Sequence, residues 1–290
     1  MKVITTIKDM QQEMKKEKQL GRSIGFVPTM GYLHEGHATL LGAARTENEV
    51  VALSIFVNPT QFGPNEDFDT YPRDFERDER VAKEANVDYL FYPSVEEMYK
   101  SSRSVAITVR DRVDVLCGQK RPGHFDGVAT VLTKLFHIVT PDRAYFGKKD
   151  AQQVAVVDGL IEDFNFPVEL RAVDTVREAD GLAKSSRNVY LTDKEREEAP
   201  VLFKSLQSAL QLLEGGEKQV EMIKGTIRKE IEQHTSGKVD YIEVYMYPEL
   251  KPIKKAAGKI IIALAVQFSK ARLIDNVIVD VQGDTKCFAR

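Results

Sequence analysis

The sequence predicts an α/β protein in two parts: a parallel sheet with helices on both faces, then a smaller α+β domain with an antiparallel sheet. Three observations lead there. Short apolar runs alternate with helical periods through about the first 175 residues, the pattern of repeated right-handed strand–helix crossovers. A polar stretch with no long apolar face then interrupts the pattern over 176–192. Beyond it come two helical patterns followed by consecutive strand-like runs, the order expected of an α+β unit. The boundary falls near residue 176, giving domains 1–176 and 177–290, in line with roughly 100–200 residues per domain.

Taken in order, Thr6-x-x-Asp9 reads as a cap for a helix with Ile7, Met10 and Met14 at helical spacing. Residues 24–27 form a short extended piece, followed by a loop rich in Gly and His and a helix carrying Leu40, Leu41 and Ala44. The continuous run 50–57 predicts a strand buried on both faces. Phe75, Val81 and Ala85 predict another helix, 87–92 an apolar strand, and Ser94-x-x-Glu97 a capping box opening a short helix. Val105, Ile107 and Val109 alternate as in a half-buried strand. Val128, Val131, Leu132 and Leu135 mark a helix leading to Tyr145-Phe146. Val154, Val157 and Ile161 mark the next helix, and 168–173 the closing strand. In the second part, Thr192-x-x-Glu195 is a capping box for one helix running on through Leu202, Leu206, Leu210 and Leu213 to Gly215-Gly216. A second helix and strands over 241–247, 260–268 and 273–281 follow. Parallel α/β sheets bind ligands outside the carboxyl ends of their strands, so the loops after Val27, Val57 and Phe146 should carry the site.

Composition narrows the function. With 42% hydrophobic and 29% charged residues, 18 Gly and 11 Pro, the chain is neither disordered, collagen-like nor coiled coil. Its length suffices for a core without metal or disulfide staples. The net charge of −3 and the lack of a long like-charge block disfavour non-specific nucleic-acid binding. The longest apolar run, 260–266, is far short of the roughly 20 residues that span a membrane. Met1-Lys2-Val3-Ile4-Thr5-Thr6 turns polar too soon for a signal-peptide core. No nucleic acid and no membrane are expected as partners, and a cytoplasmic location is expected. Cys117 and Cys287 lie far apart and match no metal spacing.

Pro28-Thr29-Met30-Gly31-Tyr32-Leu33-His34-Glu35-Gly36-His37 follows a strand and opens a helix, where unpaired N–H groups and the helix dipole suit a phosphate. Gly36 permits close approach, and imidazoles three apart can both face that anion. They would stabilise charge developing at phosphorus without a permanent countercharge. Two other readings stand beside this one: each ring caps or packs, or the pair shares a zinc ion, for which no Cys or third His is close in sequence. Phe146-Gly147-Lys148-Lys149-Asp150-Ala151-Gln152-Gln153 repeats the order strand end, Gly, cations, helix start. A lysine there can reach phosphate as a point charge, or both lysines are simply solvated. Neither Gly-x-x-x-x-Gly-Lys-Ser/Thr nor Gly-x-Gly-x-x-Gly occurs. Ala183-Lys184-Ser185-Ser186-Arg187-Asn188 sets small hydroxyls beside cations, which fits a loop closing over an anionic substrate or a solvated linker. Asn58-Pro59-Thr60-Gln61-Phe62 places an amide at a strand's carboxyl edge, although Asn-Pro is also an ordinary turn signal.

In this order and combination, the stretches resemble the pantoate–β-alanine ligase family, the pantothenate synthetases of bacteria, plants and fungi, over nearly the whole chain. The resemblance rests on Pro28-Thr29-Met30-Gly31 leading into His34-x-Gly36-His37, on Asn58-Pro59-x-Gln61-Phe62-Gly63 and on Arg121-Pro122-Gly123-His124-Phe125. It continues in Tyr145-Phe146-Gly147-x-Lys149-Asp150-x-Gln152-Gln153 and Ser185-Ser186-Arg187-Asn188. His-x-Gly-His alone is shared by a wide nucleotidyltransferase superfamily that includes class I aminoacyl-tRNA synthetases; the combination is specific.

The resemblance implies a Rossmann-like nucleotide domain, a homodimer through that domain, and a two-step reaction. ATP and (R)-pantoate would give enzyme-bound pantoyl adenylate and pyrophosphate; β-alanine would then give pantothenate and AMP, with Mg²⁺ assisting. By motif, Met30, Gly31, Tyr32, Leu33, His34, Glu35, Gly36 and His37 would contact ATP, with His34 and His37 on its phosphates and His37 as proton donor. Gly147, Lys148, Lys149 and Asp150 would bind the nucleotide, with Lys149 on phosphate as a third catalytic group and Asp150 on ribose. Val176 would border the adenine, Lys184 would lie along the nucleotide, and Ser185, Ser186 and Arg187 would clamp the phosphates. Gln61 and Gln153 would hold pantoate against an apolar wall of Val128, Val131 and Leu132. The Mg²⁺ ligands stay unassigned, with Asp78 a minor candidate. Lys184 stands where the family usually has Met. Competing expectations are another nucleotidyltransferase of the superfamily, a metal-dependent hydrolase using His34 and His37, and a nucleotide-binding module without turnover.

Overall fold

A computed structural model of the chain describes residues 1–64, 66, 68–99 and 104–281; Cys287 lies outside them. The chain divides into two units, Met1–Val176 and Arg177–Arg290.

The first unit runs β1 (Lys2–Ile4), α1 (Ile7–Gln19), β2 (Ile24–Thr29), α2 (Glu35–Glu47), β3 (Val50–Ile55), α3 (Phe75–Glu84), β4 (Tyr89–Phe91), α4 (Val95–Met98), α5 (His124–Val139), β5 (Arg143–Gly147), α6 (Ala151–Asp163) and β6 (Glu169–Val173). Its six strands are parallel in the order β1-β4-β3-β2-β5-β6. The period-2 alternation of strand side chains divides the core in two. Val50 and Ala52 of β3, Phe26 of β2 and Phe146 of β5 join α1, α5 and α6 on one face. Val51, Leu53 and Ile55 of β3, Val27 and Tyr145 join α2 and α3 on the other. All six residues of β3 are buried, Ser54 among them, as the run 50–57 predicts, each stabilising the fold by about 1.5–3 kcal/mol where the side chain is large and apolar.

From β2 the chain winds outward through β3 to β4, then returns to the opposite side of β2 to form β5 and β6. The winding direction therefore reverses between β2 and β5, the switch point at which such sheets leave a crevice beyond the strand ends. The loops following β2, β3 and β5 open there side by side.

In the second unit, α7 (Asp193–Glu198), α8 (Val201–Glu214) and α9 (Val220–His234) precede the antiparallel strands β7 (Lys238–Met246), β8 (Gly258–Gln267) and β9 (Arg272–Val281). Ile260, Ile262, Leu264 and Val266 of β8 share a core with Leu202, Leu206 and Ala209 of α8 and Ile223, Ile227 and Ile231 of α9. Among the described residues no helix is long and apolar enough to cross a membrane.

Three elements differ from expectation. The single long helix after Thr192 is two, α7 and α8; the Thr192–Glu195 capping box forms, but Pro200 lacks an N–H and its ring clashes with the carbonyl four residues back. Residues 105–110 form no strand. Ile107 and Val109 do pack against the core, but the Val109 N–H donates to Asp126 Oδ1 at 2.8 Å rather than to a neighbouring strand. At α4, Ser94 caps as expected, whereas Glu97 accepts from the Ile7 N–H at 2.7 Å instead of closing the box.

Helix α5 packs so closely on the turn after β3 that a Cβ on Gly127 would lie 2.3 Å from the Thr60 carbonyl oxygen and 2.6 Å from the Gln61 nitrogen. Exposed Gly42 on α2 has nothing within 4 Å of its Cβ position. Gly127→Ala should therefore lower the urea midpoint by about 1–3 kcal/mol equivalent, as overpacking against rigid backbone does. Gly42→Ala should raise stability by about 0.5–1 kcal/mol through helix propensity.

Candidate active site

Strand β2 ends at Thr29, whose hydroxyl donates to the Ser54 carbonyl at 2.8 Å and accepts from the Gly31 N–H at 3.2 Å. The chain then passes through two consecutive left-handed residues, Gly31 (φ +85°) and Tyr32 (φ +51°). A side chain at Gly31 would meet Asp78 Oδ2 at 2.8 Å, so the position requires glycine for space as well as for φ. Tyr32 adopts its conformation at a cost of about 1–2 kcal/mol. The compensation is Asp78, 2% exposed on α3: Oδ2 accepts from the Tyr32 N–H at 2.8 Å and Oδ1 from the Leu33 N–H at 2.6 Å. Burial pushes the Asp78 carboxyl up, and the two N–H donors pull it back only in part.

The loop delivers His34 as the N-cap of α2. His34 Nδ1 accepts from the Gly36 N–H at 3.1 Å, and the His34 N–H donates to His37 Nδ1 at 3.2 Å. The capping role of these histidines is therefore real. It also fixes their chemistry: with Nδ1 accepting in each ring, the proton of the neutral imidazole sits on Nε2. The rings lie side by side, centroids 4.1 Å apart. Burial first, then the neighbouring His34 and Lys149, push the His37 imidazole down to about 3. At neutral pH, His37 is an uncharged N–H donor at a helix start.

Gln61, in the turn after β3, is 8% exposed. Its Nε2 lies 3.2 Å from Met30 Sδ and its Oε1 accepts from Asn58 Nδ2 at 3.0 Å. The structure thus brings Met30, Gln61, the two histidines and Lys149 together at adjacent strand ends. Gln152 is occupied elsewhere: Oε1 accepts from the Cys117 and Gly118 N–H groups at 2.9 and 3.3 Å, and Nε2 donates to the carbonyls of Arg112 and Val115. This leaves half-buried Gln153 as the amide of that pair not committed to the 112–118 loop. Lys148 pairs with Asp174 at 2.6 Å and Asp150 is exposed. Val128, Val131 and Leu132 of α5 are core residues with 3%, 7% and 3% exposure. Val176 is half-buried at the end of the first unit.

In the second unit, Lys184 pairs with Glu178 at 3.2 Å. Ser185 caps the short turn Ser186–Tyr190 by accepting from the Arg187 N–H at 3.3 Å. Among the described residues, no three His, Cys, Asp or Glu side chains come together as metal ligands, so a zinc site on the histidine pair has no third ligand there. Asp78, Asn58, Arg121 and Glu66 act in ways the sequence did not suggest. Arg121 lies in the Arg121-Pro122-Gly123-His124-Phe125 stretch, to which the resemblance gives no role for it, and Asp78 lies in no motif.

Fold and site define an α/β protein with a helix start at the switch point of a parallel sheet, where such sheets bind ligands. The profile described as Pantoate-beta-alanine ligase matches residues 2–278. The pantothenate synthetase of Geobacillus sp. (strain WCH70) is 65% identical over 279 residues, covering 96% of this chain and 99% of that protein. A crystal structure of pantothenate synthetase from Thermus thermophilus matches with a TM-score of 0.90 at 42% identity, covering 98% of this chain and 100% of that one. A structure of pantoate-beta-alanine ligase from Francisella tularensis, complexed with Beta-gamma ATP and Beta-alanine, matches with a TM-score of 0.77 at 35% identity, covering 96% and 97%. The chain belongs to the pantoate-beta-alanine ligase family.

Asp78→Asn should show how much the loop depends on one carboxylate. The amide can accept from only one of the two buried N–H groups and presents a donor to the other, which costs about 1–3 kcal/mol. A reduced urea midpoint together with a raised KM for ATP is the expected result.

Proposed function

We propose that this chain condenses (R)-pantoate with β-alanine at the expense of ATP. A pantoate carboxylate oxygen attacks the α-phosphorus, the bond to pyrophosphate breaks, and pantoyl adenylate forms. The β-alanine amine then attacks the acyl carbon; the C–N bond forms, the C–O bond to AMP breaks, and the amine loses a proton to solvent. Adenylation is the sensible route because a carboxylate is a poor electrophile and AMP a good leaving group. The observation that carries this reading is the pair of Nδ1-capped histidines at the start of α2, with His37 held neutral. Their Nε2–H groups are preorganised donors for charge appearing on phosphate oxygens.

In this reading, residues 30–37 and Gly147 with Lys148, Lys149 and Asp150 receive the nucleotide. His34, His37 and Lys149 act on the phosphates. His37, uncharged at neutral pH, serves through a hydrogen bond more readily than by releasing a proton. Gln61 and Gln153 hold pantoate, with Val128, Val131 and Leu132 behind it. The roles of Val176, Lys184, Ser185, Ser186 and Arg187, a homodimer and a cytoplasmic location rest on the resemblance and are part of the same proposal. Mg²⁺ belongs to it as well. Asp78 directs both oxygens to backbone N–H groups, and no three-ligand cluster occurs among the described residues. These facts fit an ion that arrives on the nucleotide, held by phosphate oxygens and water. It would neutralise phosphate charge.

The deciding measurement is ATP–pyrophosphate exchange. Pantoate alone should support it and β-alanine alone should not; exchange that strictly requires β-alanine would sink the two-step reading. His37 offers a finer test. His37→Gln keeps an acceptor for the His34 N–H, so its thermal midpoint should stay near wild type while exchange slows by about 10²–10³, the cost of losing one preorganised donor. His37→Ala should lose the cap too, about 0.5–2 kcal/mol of stability.

A further inference from the structure

Behind Gln61 lies a chain of hydrogen bonds that the reaction itself does not require. Both carboxylate oxygens of Glu66 hold Arg121, Oε1 accepting from Nε at 2.8 Å and Oε2 from Nη2. Arg121 Nη1 lies 3.1 Å from His124 Nε2, and His124 Nδ1 lies 2.7 Å from the Gln61 carbonyl oxygen. A guanidinium only donates and a carbonyl only accepts. The His124 ring between them is therefore fixed as one tautomer, Nδ1 protonated and Nε2 bare. Its buried position keeps water from offering alternatives. On the far side, Asn58 Nδ2 donates to the Gln61 amide oxygen and to the Gly127 carbonyl, and Tyr99 donates to Asn58 Oδ1 at 2.9 Å. Gln61 is thus gripped at its backbone by one network and at its amide by another.

We propose that Glu66 and Arg121 are positioning residues for the hydroxy-acid subsite: by setting the tautomer of His124 they hold the Gln61 backbone, and so present its amide to pantoate already ordered. The inference rests on the reading that Gln61 binds pantoate. The charged groups that act on His124 are Arg121, Glu66 and Asp150; burial and Arg121 together push its imidazole down to about 4, so the ring stays neutral and the relay intact through the physiological range.

Arg121→Met removes both the donor and the repelling charge. With burial still opposing charge while Glu66 and Asp150 favour it, the His124 ring should then titrate at a higher pH than in the wild type. Below that pH the imidazolium still carries a proton on Nδ1 and keeps the Gln61 bond. Above it, the tautomer protonated on Nε2 sets a lone pair against the Gln61 carbonyl and the bond fails. At pH 8 the variant's KM for pantoate should accordingly exceed the wild type's by about two- to tenfold, the worth of one neutral hydrogen bond, and the excess should shrink as the pH falls through that titration. Its KM for ATP should stay within about twofold, and in the wild type the relay should add no such pH step.

Nitrogen-15 spectra of His124 should show only Nδ1 protonated in the wild type and a mixture in the variant at pH 8. If Arg121→Met folds poorly, Glu66→Gln loosens the same guanidinium without removing its charge: the pantoate KM should rise by less and without a pH step, because losing the Glu66 carboxylate lowers the His124 ring further. A pantoate KM unchanged in both variants, or raised equally with that for ATP at every pH, while Gln61→Ala does weaken pantoate, would overturn the relay. Gln61→Ala with an unaltered pantoate KM would instead overturn the substrate reading beneath it, whatever the spectra show.

Discussion

The carboxylate of Asp78 is the constraint on which the rest of the site depends. The chain leaving β2 must turn sharply to start α2, and it does so through two left-handed residues, one of them tyrosine. Such a turn leaves adjacent backbone N–H groups pointing into protein, where an unmet donor costs about 1–3 kcal/mol. One buried side chain with two acceptor oxygens answers both, and it comes from α3, on the same face of the sheet as α2. Move that carboxylate and the start of α2 moves with it, carrying both histidines. This also explains why Asp78 is a poor ligand for a metal at the phosphates: its oxygens face the backbone.

The helix start turns a structural need into a chemical one. A helix N-terminus must find acceptors for its first N–H groups, and here two imidazoles supply them through Nδ1. An aspartate or serine would cap equally well. Only imidazole, having accepted at one nitrogen, still donates at the other. Capping and the proposed phosphate recognition, which at the level of sequence look like rival readings of His34 and His37, would use opposite edges of the same rings. The suppressed basicity of His37 follows first from burial, and then from the imidazole 4.1 Å away and the Lys149 ammonium, which both resist a positive charge on the ring.

What was legible in the sequence was whatever depends on local chemistry. The apolar run of β3 announced a strand covered twice, Thr6 and Thr192 announced their helix starts, and the strand–loop–helix stretches pointed to the carboxyl edge as the candidate site. Pro200 was visible too, yet the leucine period running across it pointed to one helix, and periodicity does not sense a missing N–H. The alternation of Val105, Ile107 and Val109 marks the core-facing side correctly for Ile107 and Val109 but not for Val105, which is 76% exposed, and alternation says nothing about whether a neighbouring strand exists to pair with. Strand β1, three residues at a sheet edge, is too short to carry a pattern. Asp78 and Glu66 were illegible for a different reason. Each acts on a segment 45 or 55 residues away, and a lone acid in a charged stretch has no signature until the fold shows what it touches.

These two acids share one logic. In the proposed reaction the bound species, a triphosphate, a carboxylate and then an acyl phosphate, are all anionic or become so, and a bare carboxylate among them would repel every one. Two acids near the site are turned away and answered: Asp78 by the N–H groups of Tyr32 and Leu33, Glu66 by the guanidinium of Arg121. Each then acts at one remove, through a backbone or a neutral imidazole. The groups left to meet the ligands are neutral donors, the amide of Gln61 and the Nε2–H of the histidines, with Lys149 beside them as a cation. Neutral donors cost less to bury than charges before substrate arrives and need little reorganisation as charge develops. In this reading Asp78 and Glu66 work as anchors for the hydrogen-bond donors of the site, and the geometry of those donors depends on acids that do not themselves meet the substrate.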